Sequence, residues 1–216
     1  MGDPNEAAAI LERALTYPYA APECSYLYLD GQAKELPPDG LDLSGRVPLI
    51  SYGANSAPEA LGRKLASLPG VEMPVMRAEL EDFDVVYSAH VSPYGAVPAT
   101  LLESPGARAP VFLIHPTEEQ RALLTASEPN YDLVEVEGIA TYRSKHGCLS
   151  VGGSPVALAA VRSQGRTLPE LDEPAVLERV RVQLAPELDL EGFIRRCIER
   201  GGIKPLPPLT EITPST

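Results

Sequence analysis

Residues Arg46–Leu65 read RVPLISYGANSAPEALGRKL, an apolar run that becomes a charged amphipathic stretch across one small turn. "RVPLISY" has strand character and "SAPEALGRKLASL" has helical spacing, with Ser56 as the expected cap and Glu59 three residues on. The join is Tyr52-Gly53-Ala54-Asn55-Ser56. A strand that hands over to a helix this tightly leaves the first helical N–H groups unpaired, at the positive end of the helix dipole. Such a turn can aim several N–H groups into one concavity and hold a carboxylate or carbonyl oxygen. It can equally be a plain turn, with Gly53 supplying the bend and Ser56 the cap.

The rest of the chain is punctuated by 23 Pro and 17 Gly in 216 residues, which predicts many loops around a folded core. Residues 1–45 form an N-terminal extension. Asp3-Pro4-Asn5-Glu6 reads as a helix start, Ala7, Ile10, Leu11, Ala14 and Leu15 share one helical face, and "CSYLYLD" alternates like a strand. Residues 46–143 form the core. There "VMRAEL", "FDVVYSAHV", "VPATLLE" and "APVFLIH" read as four strands, with turns at Ser92–Ala96 and at "SPGAR". Thr117-Glu118-Glu119-Gln120 is a capping box opening a short helix, and "YDLVEVE" and "IATYR" close the core as strands. Residues 144–203 form a C-terminal helical extension. "PVALAAV" is helix or strand, Asp172 caps one helix, and Leu190, Phe193, Ile194, Cys197 and Ile198 line another that stops at Gly201-Gly202. Residues 204–216 read as a loose, Pro-rich tail. Many antiparallel-looking strands with inserted helices, rather than a βαβ alternation, give an α+β class with a closed or strongly curved sheet.

A net charge of −12 argues against nucleic acid or an anionic membrane as partner. No long apolar run is present, so neither a signal peptide nor a membrane span is expected. Three scattered cysteines without a CxxC suit a reducing compartment, and a cytoplasmic location is expected.

Glu128, in "LLTASEPNYD", follows a short helix at the end where a carboxylate is disfavoured, and Pro129 turns it away from helical geometry. That setting favours the protonated carboxyl and suits a general base. An ordinary solvated loop acid is the alternative.

Taken together these motifs resemble the gamma-glutamylcyclotransferase family. It carries a Tyr-Gly-Ser-Asn-Leu turn after its first strand and, later, a Leu-Asp-x-x-Glu segment followed by an aromatic. Here the first reads Tyr52-Gly53-Ala54-Asn55-Ser56, and the second reads Leu124-Thr125-Ala126-Ser127-Glu128 with Tyr131 beyond. The likeness covers about Arg46 to Tyr142, under half of the chain. Ala54, Ser56, Thr125 and Pro129 depart from the pattern. The resemblance implies an α+β fold with a small mixed or antiparallel β-barrel and flanking helices. It implies no metal or organic cofactor, and a small γ-glutamyl-type substrate cyclised to 5-oxoproline with release of an amine. Glu128 would be the general acid/base. Tyr52, Gly53, Ala54, Asn55, Ser56, Tyr94 and Tyr131 would bind substrate. The extensions would cover the pocket mouth or mediate homodimer contacts.

Three rivals accompany this reading. The first is a catalytically silent ligand-binding or interaction protein of the same fold. The second is a thiol enzyme using His146 and Cys148, two residues apart. The third is a metal site built from His90, His115 and His146, whose spacing is not that of ligands.

Overall fold

A computed structural model describes residues 4–210. The expected cap Asp3 and the tail from 211 onward lie outside them. The chain runs α1 (Pro4–Leu15), β1 (Tyr26–Leu29), β2 (Gln32–Lys34), β3 (Leu49–Ser51), a single 3₁₀ turn (Ala54–Ser56) and α2 (Pro58–Lys64). Next come β4 (Glu72–Tyr87), β5 (Ala99–Ile114), α3 (Glu118–Ala126), β6 (Tyr131–Val136) and β7 (Ile139–Ser144). The last part holds β8 (Ser150–Val151), β9 (Ser154–Pro155), β10 (Ala157–Leu158), β11 (Glu170–Leu171), α4 (Glu173–Leu184) and α5 (Leu190–Glu199).

The class is α+β, with one mixed sheet in the order β11-β10-β4-β5-β3-β7-β6 and β1 and β2 added along β4. The expected barrel is not closed: among the described residues no pairing joins β6 to β11. The strands are not all antiparallel either. β3 runs parallel to β7, and β10 to β11. β7 reaches its parallel place beside β3 only after α2, the β4–β5 arm, α3 and β6, since a hairpin joins only antiparallel strands.

The four strands expected between 72 and 114 are two long ones. The turn chemistry of Ser104–Arg108 is spent inside β5 rather than between strands. Asp82 and Gly106 take positive φ angles of 59° and 81°, and the register slips between Glu81↔Arg108 and Phe83↔Glu103. The Gly106 N–H donates to Asp82 Oδ1 (2.7 Å), so the irregularity is a hydrogen-bonded bulge that bends the arm.

The helical extension after 144 includes short strands, one of them within "PVALAAV", the stretch that reads as helix or strand. β10 pairs with β4 at Val86, extending the sheet at that edge. The N-terminal extension joins the same sheet, because β1 pairs antiparallel with β4 from Tyr26↔Val75 to Leu29↔Glu72. Two local caps form as the sequence predicts. Thr117 and Gln120 make the reciprocal capping box of α3, and Asp172 accepts from the Ala175 N–H at the start of α4.

Two apolar cores flank the sheet. One gathers α1, α4 and α5 through Ala14, Val176, Leu177, Val180, Phe193, Ile194 and Cys197. The other packs Leu61 and Leu65 of the α2 region and Leu124 of α3 on Leu49, Met73, Val75 and Ile114. Each of these fully buried large side chains contributes about 1.5–3 kcal/mol of burial. Tyr17 and Tyr52 belong to the first core and Tyr142 to the second, so the seam between the cores is lined by phenols.

Candidate active site

The turn after β3 is where backbone donors are left over. Ser56 and Ala57 donate their N–H groups to Gly53 and Ala54 carbonyls (3.1 and 3.0 Å). Among the described residues no protein acceptor takes the N–H groups of Gly53, Ala54 or Asn55. Ser56 does not cap the helix. Its hydroxyl donates to the Gly53 carbonyl (2.7 Å), α2 starts at Pro58, and Ala57 stands at the cap position without a side-chain bond. Pro58 has no N–H to satisfy, so a side-chain cap gains less there.

Glu128 lies just past the C-terminus of α3, as its sequence position implies, and faces this turn. Its Oε1 accepts from Asn55 Nδ2 (3.1 Å) and from the Lys64 ammonium. Lys64 Nζ also donates to Asn55 Oδ1 (2.7 Å), closing a three-membered cluster. Side-chain exposures of 20% for Lys64 and 16% for Glu128 leave the pair largely, though not wholly, out of water. Glu128 Oε2 has no partner among the described residues. The field of the helix end, which the sequence suggests would act unopposed, is met by the Lys64 charge from the last turn of α2.

Tyr52, Gly53, Ala54, Asn55, Tyr94, Glu128 and Tyr131 line one small cavity of about 50 Å³. It adjoins a cleft of about 390 Å³, with Ala54, Lys64, Tyr94, Glu128 and Tyr131 common to both. Ser56 is the exception among the candidates. It faces the other side of the turn and borders a separate groove.

Sequence reasoning missed Lys64, Tyr17 and Tyr142. Lys64 was legible in principle, since the turn that presents Asn55 runs straight into its helix. Tyr17 was not, because it arrives from the extension over a long loop.

Five tyrosines ring the inner cavity: Tyr17, Tyr52, Tyr94, Tyr131 and Tyr142. Burial raises the pKa of each above the ordinary phenol range, with neighbouring phenols or carboxylates adding to the rise, so all five stay neutral hydrogen-bonding groups. Three have committed hydroxyls. Tyr52 donates to the Tyr142 carbonyl, Tyr131 donates to the Ala99 carbonyl (2.8 Å), and Tyr142 bonds Thr125 Oγ1 (2.8 Å). Thr125 stands where the resembled motif has Asp, and its hydroxyl braces a cavity wall.

The rival constellations do not assemble. His115 sits at the end of β5, with its N–H on the Pro74 carbonyl, away from the other two histidines. The His90 and His146 rings lie 5.1 Å apart, tilted at 59°, and among the described residues no three His, Cys, Asp or Glu side chains group to hold a metal ion. Residues 145–148 form a turn rather than a continuous strand. The His146 ring meets Asn130 (3.4 Å), not Cys148, and burial raises the Cys148 thiol pKa, opposite to what a nucleophile needs. No helix among the described residues is long and apolar enough to cross a membrane. No family model, curated protein or solved structure matches the chain.

Proposed function

We propose that the protein is a gamma-glutamylcyclotransferase-like enzyme, cyclising a γ-glutamyl amine or peptide to 5-oxoproline with release of the amine. One observation carries this reading: a carboxylate, Glu128, is fixed beside a turn whose Gly53, Ala54 and Asn55 N–H groups have no acceptor among the described residues, in one cavity. The inner cavity is the size of a carboxylate or carbonyl group, and the adjoining cleft has room for the remainder of a small substrate. The sheet is open where the family has a small barrel, so the assignment rests on the motifs and the site.

The substrate's α-ammonium sits on Glu128 Oε2, a position like the one Lys64 holds on Oε1. Glu128 takes one proton, and the freed amine attacks the side-chain carbonyl carbon of the same molecule. Both reacting groups belong to one bound chain, so proximity is supplied once it is folded. The carbonyl oxygen gains charge as the ring closes and is met by main-chain donors of Gly53–Asn55 or the Asn55 amide. The ring nitrogen, left with two hydrogens after attack, releases its second proton to solvent, and the C–N bond to the leaving amine breaks as Glu128 returns its own proton to the leaving nitrogen. Asn55 and Lys64 hold the carboxylate in place between the two transfers.

The test is 5-oxoproline release from a panel of γ-glutamyl dipeptides and amines. Wild type should turn over at least one member, and Glu128→Gln should lower the rate about 10²–10⁴-fold while keeping its thermal midpoint. Equal, background release from both proteins would end the enzyme reading.

The Lys64–Glu128 ion pair favours a second reading, a ligand-binding protein without turnover, because the Lys64 ammonium already occupies one oxygen of the carboxylate that would take the proton. Saturable binding of a γ-glutamyl compound by wild type with no release would select it.

A further inference from the structure

Of the five phenols around the inner cavity, Tyr17 is supplied by the N-terminal extension, from outside the stretch that resembles the family. Its Oη accepts the Ala99 N–H (2.8 Å), and its own proton has no acceptor among the described residues. The ring is buried, with 6% of its surface exposed. The hydroxyl lies against the turn: a Cβ added at Gly53 would stand 2.6 Å from Tyr17 Oη. A side chain at position 53 would therefore collide with it, and glycine is what allows the approach. Tyr17 and Gly53 also border the groove on the opposite side of the turn, so the ring forms a partition between the two spaces. Its neighbours Tyr52 and Tyr131 spend their protons on backbone carbonyls, whereas Tyr17 is oriented by a bond it accepts. A phenol held that way, with its proton retained by burial, is a donor waiting for an oxygen.

We propose that Tyr17 is a ligand-binding residue, donating its phenolic hydrogen to the carboxylate or acyl oxygen that the Gly53–Asn55 turn receives. The donor joins the main-chain N–H groups on the same oxygen-binding corner, in the cavity that Glu128 also lines. This inference rests on the γ-glutamyl reading for the ligand's class, but not on turnover.

Calorimetric titration with 5-oxoproline tests it in wild type, Tyr17→Phe and Tyr17→Leu, alongside 5-oxoproline release from the γ-glutamyl panel. The Phe variant keeps the ring and loses the hydroxyl, and the Leu variant loses both. The loss of one hydrogen bond to a charged or acyl oxygen should weaken binding about ten- to a hundred-fold in both variants. The Phe variant should stay folded, with a midpoint lowered by a few degrees because the buried Ala99 N–H loses its acceptor. If Phe binds like wild type and only Leu is weakened, Tyr17 merely packs, and the inference falls while the enzyme reading stands. Weaker binding by Phe with no turnover in any protein supports the inference and removes the enzyme reading instead. A wild-type protein that neither binds 5-oxoproline nor releases it overturns both.

Discussion

Two walls face each other across the inner cavity, and they are built in different ways. The wall of Asn55, Lys64 and Glu128 carries the charges. Its members come from a turn, the helix directly after it and the end of α3, all within the core, and they are tied to one another by side-chain bonds. The wall of Tyr17 and Tyr94 is neutral and is held by packing from the extensions. Tyr94 sits in the Ser92–Ala96 turn, where Gly95 at φ 89° lies so close to α5 and α1 that a Cβ would meet Ile194 (2.8 Å) and Ala14 (3.3 Å). Short-range chain geometry thus sets Asn55 and Lys64, to which the core brings Glu128, whereas the neutral wall depends on how the ends of the chain close over the core. Loosening an extension should move the second wall and spare the first.

The strongest clasp between extension and core is the Arg166 guanidinium. It pairs with Asp84, which is fully buried on β4, through Nη2–Oδ1 (2.7 Å) and Nε–Oδ2 (2.9 Å). Arg166→Met would strand a buried charge and should cost about 3–5 kcal/mol in urea unfolding. Binding of a γ-glutamyl ligand by the protein that remains folded should weaken no more than it does in Tyr17→Phe, since no group of the charged wall contacts Arg166; complete loss would mean that the walls are not independent.

A second clasp is acid-sensitive. His90 is buried, bonds Ser88 Oγ through Nδ1 (2.6 Å), and has its pKa pushed down to about 3 by burial, with His146 and Lys204 adding repulsion. The unfolded chain binds this proton near pH 6.5, while the native ring stays neutral until about pH 3. Stability is therefore lost as pH falls through that window, by about 3 kcal/mol between pH 7 and pH 4 for this group. His90→Gln should flatten that part of the acid limb whatever its offset at pH 7. An unchanged slope would show that His90 is not what the acid reaches.

The smallest effect belongs to the contact between the walls. Gly53→Ala should destabilise by about 1–3 kcal/mol, because Tyr17 Oη occupies the space of the new methyl. In the Tyr17→Phe background the same change should cost much less, since the next ring atom, Cζ, stands 3.7 Å from that position. A double-mutant cycle with no coupling would mean that the strap relaxes freely.

Much of the local architecture was legible. The Thr117–Gln120 box and the Asp172 cap follow from residues three apart, and the Phe193, Ile194 and Cys197 face of α5 follows from helical period. The turn at 52–56 and Glu128 were legible as chemistry because each breaks a local preference: unpaired donors at one, an acid at a helix C-terminus at the other. The two long strands were not, since Gly106 and its neighbours have the composition of a turn, and only the Asp82 bond across the arm makes them a bulge. Lys64 escaped because a lysine in the last turn of a helix already has a sufficient local reason to be there.

By itself the sequence determined the caps, the amphipathic faces, the small strand-to-helix turn and the acid beyond α3, because backbone hydrogen bonding and side-chain period act over a few residues. Tertiary structure alone decided that Glu128 meets Asn55 and Lys64, 73 and 64 residues away, and that Tyr17 lies on Gly53. Those distances in the chain are closed by two apolar cores packing on one sheet, and area burial has no memory of sequence separation.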